Sequence, residues 1–278
     1  MISRTASIAL VAVAGLSFSA SGQQIVVPNA LAAVEGGTSN SFPFSAFTPV
    51  SQRYQQVYAA SDFGALTGPT PLTQLRFRPN ATSTFTPWSN TATFEVRFSV
   101  TPTAPDALST TFATNVGAGE TVVYSGSATI STGQSGPVTG PLNFDVILTL
   151  QTPFVYNPAS GNLLMDVKRE GTSLASSRFL DAHNVAGDPI SRVVSVTNSS
   201  DVTGTATSFG LVTQFVFTPP TPSCYADCDH VGGLTGNDFQ CFLNAFVASE
   251  SYADCDGVGG LTGNDFQCFL DKFVAGCS

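Results

Sequence analysis

Three aspartates, Asp227, Asp229 and Asp238, recur as Asp254, Asp256 and Asp265 within two near-identical segments, Tyr225 to Ala248 and Tyr252 to Ala275. The copies differ only at His230, Asn244 and Ala245, which become Gly257, Asp271 and Lys272. Carboxylates at positions 1, 3 and 12 of a loop suit calcium, a hard cation that takes six to eight oxygens from a chain able to wrap around it. The wrapping needs a sharp midway turn, supplied here by Gly232 and Gly259, and a backbone carbonyl at position 7, where Gly233 and Gly260 stand. Thr235 and Thr262 occupy position 9, to ligate directly or through water. Two features depart from an ordinary EF-hand loop. Position 12 is Asp instead of Glu, so the following helix must approach the ion more closely. Position 5 is Val231 in one loop and Val258 in the other, so each site forgoes a side-chain oxygen. Two calcium ions, held weakly or with an added water, are therefore expected.

Each loop must be positioned by the element on its C-terminal side. Phe239, Phe242 and Phe246, with their counterparts Phe266, Phe269 and Phe273, recur at helical spacing, and Leu243 and Leu270 widen the same apolar stripe. Thr235 with Asp238, and Thr262 with Asp265, match the signature of a helix start, where a hydroxyl and an acid three residues on satisfy orphan N–H groups. The last ligand of each loop thus falls in the first turn of a short helix.

All six cysteines, Cys224, Cys228, Cys241, Cys255, Cys268 and Cys277, lie in this same stretch. An even count in a short segment reads as a disulfide framework, although six cysteines permit fifteen pairings and spacing does not choose among them. Repeat symmetry favours Cys228 with Cys241 and Cys255 with Cys268, as equivalent bonds, leaving Cys224 and Cys277 to clasp the ends. Zinc fits poorly, because no C-x-x-C is present and only His230 is near.

The run CYADCDHVGGLTGNDFQCF from Cys224, repeated as YADCDGVGGLTGNDFQCF from Tyr252, resembles a dockerin domain: a duplicated calcium loop plus helix, without the incoming helix of a full EF-hand. It is more similar still to the cysteine-containing dockerins that end secreted proteins of planctomycete-type bacteria. The resemblance covers about a fifth of the chain. It implies calcium-dependent folding and docking onto a cohesin-like receptor or other cell-surface component. It also implies that Gly236 and Asn237, with Gly263 and Asn264, just before the last ligand, choose the partner. Because both copies carry the same pair, two docking orientations are conceivable on this family pattern. A module that binds calcium only for its own stability is the alternative.

At the other end, Arg4 precedes an apolar stretch from Ile8 to Phe18, followed by small residues Ser19 to Gly22, which reads as a signal peptide over residues 1–22. No segment approaches the roughly twenty apolar residues of a membrane span. An exported chain, extracellular or at the cell surface, is expected. With 19 acidic against 10 basic residues and no basic patch, nothing neutralises phosphates, which argues against nucleic acid.

Residues 23–217 read as β throughout. Phe94, Val96, Phe98 and Val100 alternate with Thr93, Glu95, Arg97 and Ser99; Leu142, Phe144, Val146, Leu148 and Leu150 alternate with Asn143, Asp145, Ile147 and Thr149. Further strands are expected near Arg53 to Ala59, Leu72 to Arg78, Thr121 to Ser131, Asn162 to Lys168, Ile190 to Thr197 and Phe209 to Phe217. Many short strands punctuated by Gly, Pro, Ser and Thr predict an antiparallel β-sandwich, jelly-roll-like, with a closed barrel as runner-up. Residues 218–223, rich in proline, cannot continue a ladder and mark a linker before a small, helical, dockerin-like domain over residues 224–278.

Chemistry in the β region is sparsely marked. Its single histidine, His183, sits in a polar stretch read as loop, and no G-x-S-x-G elbow occurs. A glycosidase is the leading enzymatic alternative, since a carboxylate pair across a β cleft can cleave sugars. Yet Glu95 shares a strand face with Arg97, which predicts an ion pair, and neither Asp145 nor Asp166 is set at a defined distance from it. Polysaccharide binding would call on exposed rings, for which Trp88, Tyr54, Tyr58, Tyr124 and Tyr156 are the candidates; Trp88 reads as a loop anchor. No enzymatic activity is assigned.

Overall fold

Alternating apolar and polar residues, interrupted by Gly and Pro, build the strands of this chain, which pair in antiparallel sheets. The computed structural model describes residues 23–44, 51–81, 87–137, 140–171, 178–218, 224–229 and 233–277. The expected signal peptide, the linker residues 219–223, and His230, Val231 and Gly232 lie outside the described residues. The strands are β1 (Gln23–Val27), β2 (Thr38–Asn40), β3 (Gln52–Tyr58), β4 (Thr70–Phe77), β5 (Trp88–Thr101), β6 (Ala118–Thr132) and β7 (Val146–Tyr156). They continue with β8 (Asn162–Gly171), β9 (Leu180–Asn184), β10 (Ile190–Ser195), β11 (Thr205–Thr207), β12 (Phe209–Leu211) and β13 (Thr213–Phe217). The α-helices are α1 (Phe112–Asn115), α2 (Gly236–Val247) and α3 (Gly263–Ala275).

Three sheets form, ordered β1-β13-β4-β7, β11-β10-β3-β8-β5-β6 and β12-β9-β2. Phe94, Val96 and Phe98 from β5 meet Leu75 and Phe77 from β4, Leu148 and Phe154 from β7, and Phe215 from β13 in one apolar cluster. Phe98 contacts Phe154 and Phe215 with ring centroids 5.5 and 6.4 Å apart. Each such ring withdrawn from water contributes roughly 1.5–3 kcal/mol, which is the main force joining the four- and six-stranded sheets.

The other face of β3 is covered as well. Leu108, Phe112 and Val116, on and beside α1, pack on Val57, Leu164 and Val193. This cover buries Gln55, which simple alternation would leave in water, while Gln56 is buried on the opposite face beside Tyr54; each then needs partners. Gln55 Nε2 donates to Asp166 Oδ2 at 2.7 Å and to the Phe112 carbonyl at 3.1 Å, while its Oε1 accepts from Asn115 at 3.0 Å. Gln56 exchanges two bonds with the Leu211 backbone, at 2.9 and 2.8 Å.

Several expectations need correction. The strand expected from Leu142 begins only at Val146; Phe144 lies before it, 4.8 Å beneath the Arg78 guanidinium. Phe209 to Phe217 is not one strand: the chain breaks at Val212, and β12 and β13 join different sheets. Asp145 consequently lies off the strand, accepting from Thr132 Oγ1 at 2.5 Å and from the Gly133 N–H at 3.1 Å. His183 belongs to β9 and not to a loop. Trp88 opens β5 with its ring in the core, 7% exposed, so it is neither loop anchor nor platform. Tyr54, Tyr58 and Tyr156 are fully buried.

Candidate metal centres

Thr235 and Thr262 start α2 and α3 as N-caps. Each threonine oxygen accepts the N–H two residues on at 3.2 Å. The acid three residues on reaches back: Asp238 Oδ2 accepts from the Thr235 N–H at 2.7 Å, and Asp265 Oδ2 from the Thr262 N–H at 2.7 Å. These capping boxes fix the last acid of each loop in the first helical turn. Their other oxygens accept from the backbone of Asp229 and Asp256, both at 3.2 Å, drawing the start of each loop against its end.

The result is two carboxylate clusters, Asp227–Asp229–Asp238 and Asp254–Asp256–Asp265, each with one oxygen per residue within 4.8 Å of the others. Oxygens on opposite sides of a calcium ion, each at about 2.4 Å, would stand about that far apart. In both clusters the first acid keeps an oxygen without a hydrogen-bond partner: Asp227 Oδ1 and Asp254 Oδ1 are buried and unpaired among the described residues. A buried carboxylate oxygen left so costs on the order of 1–3 kcal/mol or more. A divalent cation at the centre would remove that cost, so the donor set fits a hard metal ion.

Asp238 and Asp265 have no exposed surface. Burial alone pushes the Asp238 carboxyl up, but N–H groups of Thr235 and Asp229 and the Thr235 hydroxyl outweigh it and hold it at about 2. The Thr262 N–H leads the same balance at Asp265, also held at about 2 against its burial. Both stay ionised, as a cation ligand must.

At position 5, Val258 is 69% exposed and its side chain offers no oxygen, while its N–H donates to Asp256 Oδ1 at 2.9 Å. Gly259 and Gly260 adopt φ of +79° and +78°, in the left-handed region where a side chain is strained, which is what lets the loop turn there. Gly233 shares this conformation at +80°. The Thr235 and Thr262 hydroxyls are engaged as caps, a role that their spacing from the acid already signals. Gly236, Asn237, Gly263 and Asn264 are all exposed on the first turns of the helices.

Disulfides hold the loops to the helices. Cys228, between two ligands, bonds Cys241 on α2; Cys255 likewise bonds Cys268 on α3; Cys224 bonds Cys277. Three disulfides mark a protein of an oxidising, extracytoplasmic compartment. No helix among the described residues is long and apolar enough to cross a membrane.

The copies pack about an approximate two-fold axis, because residues 27 apart meet their own equivalents. Phe242 stacks on Phe269 at 4.0 Å, Tyr225 on Tyr252 at 4.9 Å, and Phe239 meets Phe266 at 5.9 Å. Each tyrosine hydroxyl donates to the other tyrosine's backbone carbonyl. The duplication could have suggested this pairing, but no residue pattern specifies it.

In the β region the candidate acids are engaged elsewhere. Glu95 accepts from Arg97 at 3.0 Å and lies 3.3 Å from Lys168; these partners lower its carboxyl, the Arg97 hydrogen bond foremost. Asp166 pairs with Arg53 at 2.8 Å. Glu120 pairs with Arg97 at 3.0 Å and Glu170 accepts from Ser51 at 2.8 Å. His183 Nδ1 contacts Asp188 at 2.6 Å.

One carboxyl pair carries no signal in the sequence. Burial first, then the Asp181 charge, raise Glu35 to about 7. Asp181 itself is paired with the buried Arg78 at 2.6 Å and accepts the Gly36 N–H at 2.9 Å.

No family model, curated protein or solved structure matches this chain.

Proposed function

We propose that the C-terminal region is a dockerin-like module which two calcium ions complete, and that it tethers an exported, sandwich-like β region to a cohesin-like receptor or another cell-surface component. The observation that carries this reading is the unpaired, buried oxygen of Asp227 and of Asp254 at equivalent points of two carboxylate clusters. Hard oxygen donors, the absence of a cysteine not already in a disulfide, and loop glycines in the left-handed region favour calcium over a softer metal. Bound calcium would offset two of the three carboxylate charges in each loop and fix the exposed first turns that carry Asn237 and Asn264 in one orientation for a partner.

The β region is the cargo in this reading. Its core-bound aromatic rings and ion-paired acids favour no particular polysaccharide activity.

Calorimetric titration of the disulfide-intact chain tests the metal step. Two calcium ions per chain are expected, with Asp254→Asn weakening the site that contains it at least tenfold, about 1.4 kcal/mol, and leaving the Asp227 site unchanged. Absence of binding heat, joined to an unchanged melting temperature in calcium, would remove the basis for a calcium-built docking surface.

A further inference from the structure

Of the three positions at which the copies differ, one breaks the approximate two-fold with a chemical meaning. Lys272 on α3 lays its ammonium 4.2 Å from the centroid of the Tyr225 ring and 3.5 Å from the Cys255 carbonyl. Its equivalent on α2 is Ala245. Around Ala245 a cavity of about 390 Å³ opens, lined by Cys228, Cys241, Asn244, Ala245, Glu250 and Tyr252. Two of its members match the groups that Lys272 meets: Cys228 corresponds to Cys255 and Tyr252 to Tyr225. One copy thus holds a primary ammonium on a tyrosine ring beside a backbone carbonyl. The other has the same ring and loop backbone with the lysine truncated to alanine.

We propose that this cavity receives a lysine side chain from the docking partner, with its ammonium over Tyr252 and beside Glu250. The proposal rests on the docking reading above and names the chemistry of the partner's contact. Charge favours it: the chain carries a formal charge of −9 at pH 7, and Glu250 adds a carboxylate where the Lys272 side has the half-cystine Cys277. An ammonium over an aromatic ring is attracted by the negative face of the ring. The chain cannot fill the cavity with a spare lysine of its own, because its lysines are Lys168, paired with Glu95, and Lys272, already on Tyr225. A lysine-filled copy and a lysine-accepting copy also make the two docking orientations unequal, so that the partner's lysine selects one.

The test uses the full-length, disulfide-intact chain with ¹³C-labelled tyrosine, in which six ring signals have to be resolved. Nα-acetyl-lysine methylamide is titrated in, and the uncharged Nα-acetyl-norleucine methylamide serves as the control. A saturable shift confined to Tyr252, seen only with the lysine probe, is expected. Glu250→Gln, at an exposed position, should raise the apparent Kd about fivefold, as loss of an exposed charge pair does. Ala245→Lys should abolish the shift by filling the cavity from within. An unmoved Tyr252, or an equal response to norleucine, overturns the proposal in a chain that still binds calcium. A chain that binds the lysine probe but no calcium keeps the pocket and overturns the docking module instead.

Discussion

Asp227 and Asp238 put the same side chain to different uses. Asp238 is saturated with backbone and hydroxyl donors that lower it to about 2, whereas Asp227 keeps an oxygen that no donor among the described residues reaches. The spacing of these acids was legible in the sequence, because a loop closing on a helix start needs an acid there in any context. The unpaired oxygen was not, since it depends on which donors the folded loop brings close. Glu35 was illegible for a stronger reason: its neighbours Arg78 and Asp181 are distant in sequence and are brought together only by the sheets. Its titration gives a signed expectation. The folded carboxyl titrates near 7 against an ordinary 4.5, so the folded state binds the proton more tightly than the unfolded chain. The β region should therefore lose stability as pH rises from about 4.5 to about 7, by on the order of 1 kcal/mol once solvent screening is allowed for. Denaturant unfolding of wild type and Glu35→Gln at pH 5 and pH 8 checks this; the variant should lack the pH-dependent loss. A loss equal in both proteins would place its source elsewhere. The C-terminal region carries the opposite sign, because Asp238 and Asp265 are depressed: it should weaken as pH falls from about 4 toward 2.

Among the elements, long strands with one wet face could be read directly, as in β5, where Phe94, Val96 and Phe98 point inward and Glu95 and Arg97 form a surface pair. The strands missed were β1, β2, β9 and β11. β2 and β11 have three residues each, too few for a period to emerge, and β9 carries Asp181 and His183, whose burial or pairing depends on distant partners. Helices α2 and α3 announced themselves through Thr–Asp capping pairs and a phenylalanine stripe, whereas the four-residue α1 did not. Their attachment to the loops can be tested at the same scale. Replacing Cys228 and Cys241 with serine should destabilise the C-terminal region by about 3 kcal/mol on the chain-entropy model, given a sequence separation of 13. The same change should weaken calcium at the Asp227 site more than at the Asp254 site, as site-resolved titration would register. Equal weakening of both sites would mean that the disulfide supports the fold without positioning its loop.

For the molecule as a whole, the long-range clasp explains how a short segment keeps a defined shape. Under the repeat offset, Cys277 corresponds to Glu250 and Cys224 to Ser251, which are chain neighbours. The Cys224–Cys277 disulfide, with Cα atoms 5.2 Å apart, therefore does for the ends of the segment what the peptide chain does between the copies. It closes the segment into a ring around the stacked Phe242–Phe269 and Tyr225–Tyr252 pairs. Converting both cysteines to serine should cost about 4 kcal/mol for a separation of 53, read as a lower melting transition of the C-terminal region with that of the β region unchanged. A shift of both transitions together would show that the two parts unfold as one unit.

The most direct measurement is an anomalous difference map from crystals of the disulfide-intact chain grown in calcium. Two peaks are expected, one among Asp227, Asp229 and Asp238 and the other among Asp254, Asp256 and Asp265, each within about 2.3–2.6 Å of the carboxylate oxygens. Ordered loops with water or nothing at both positions would contradict the account at its centre.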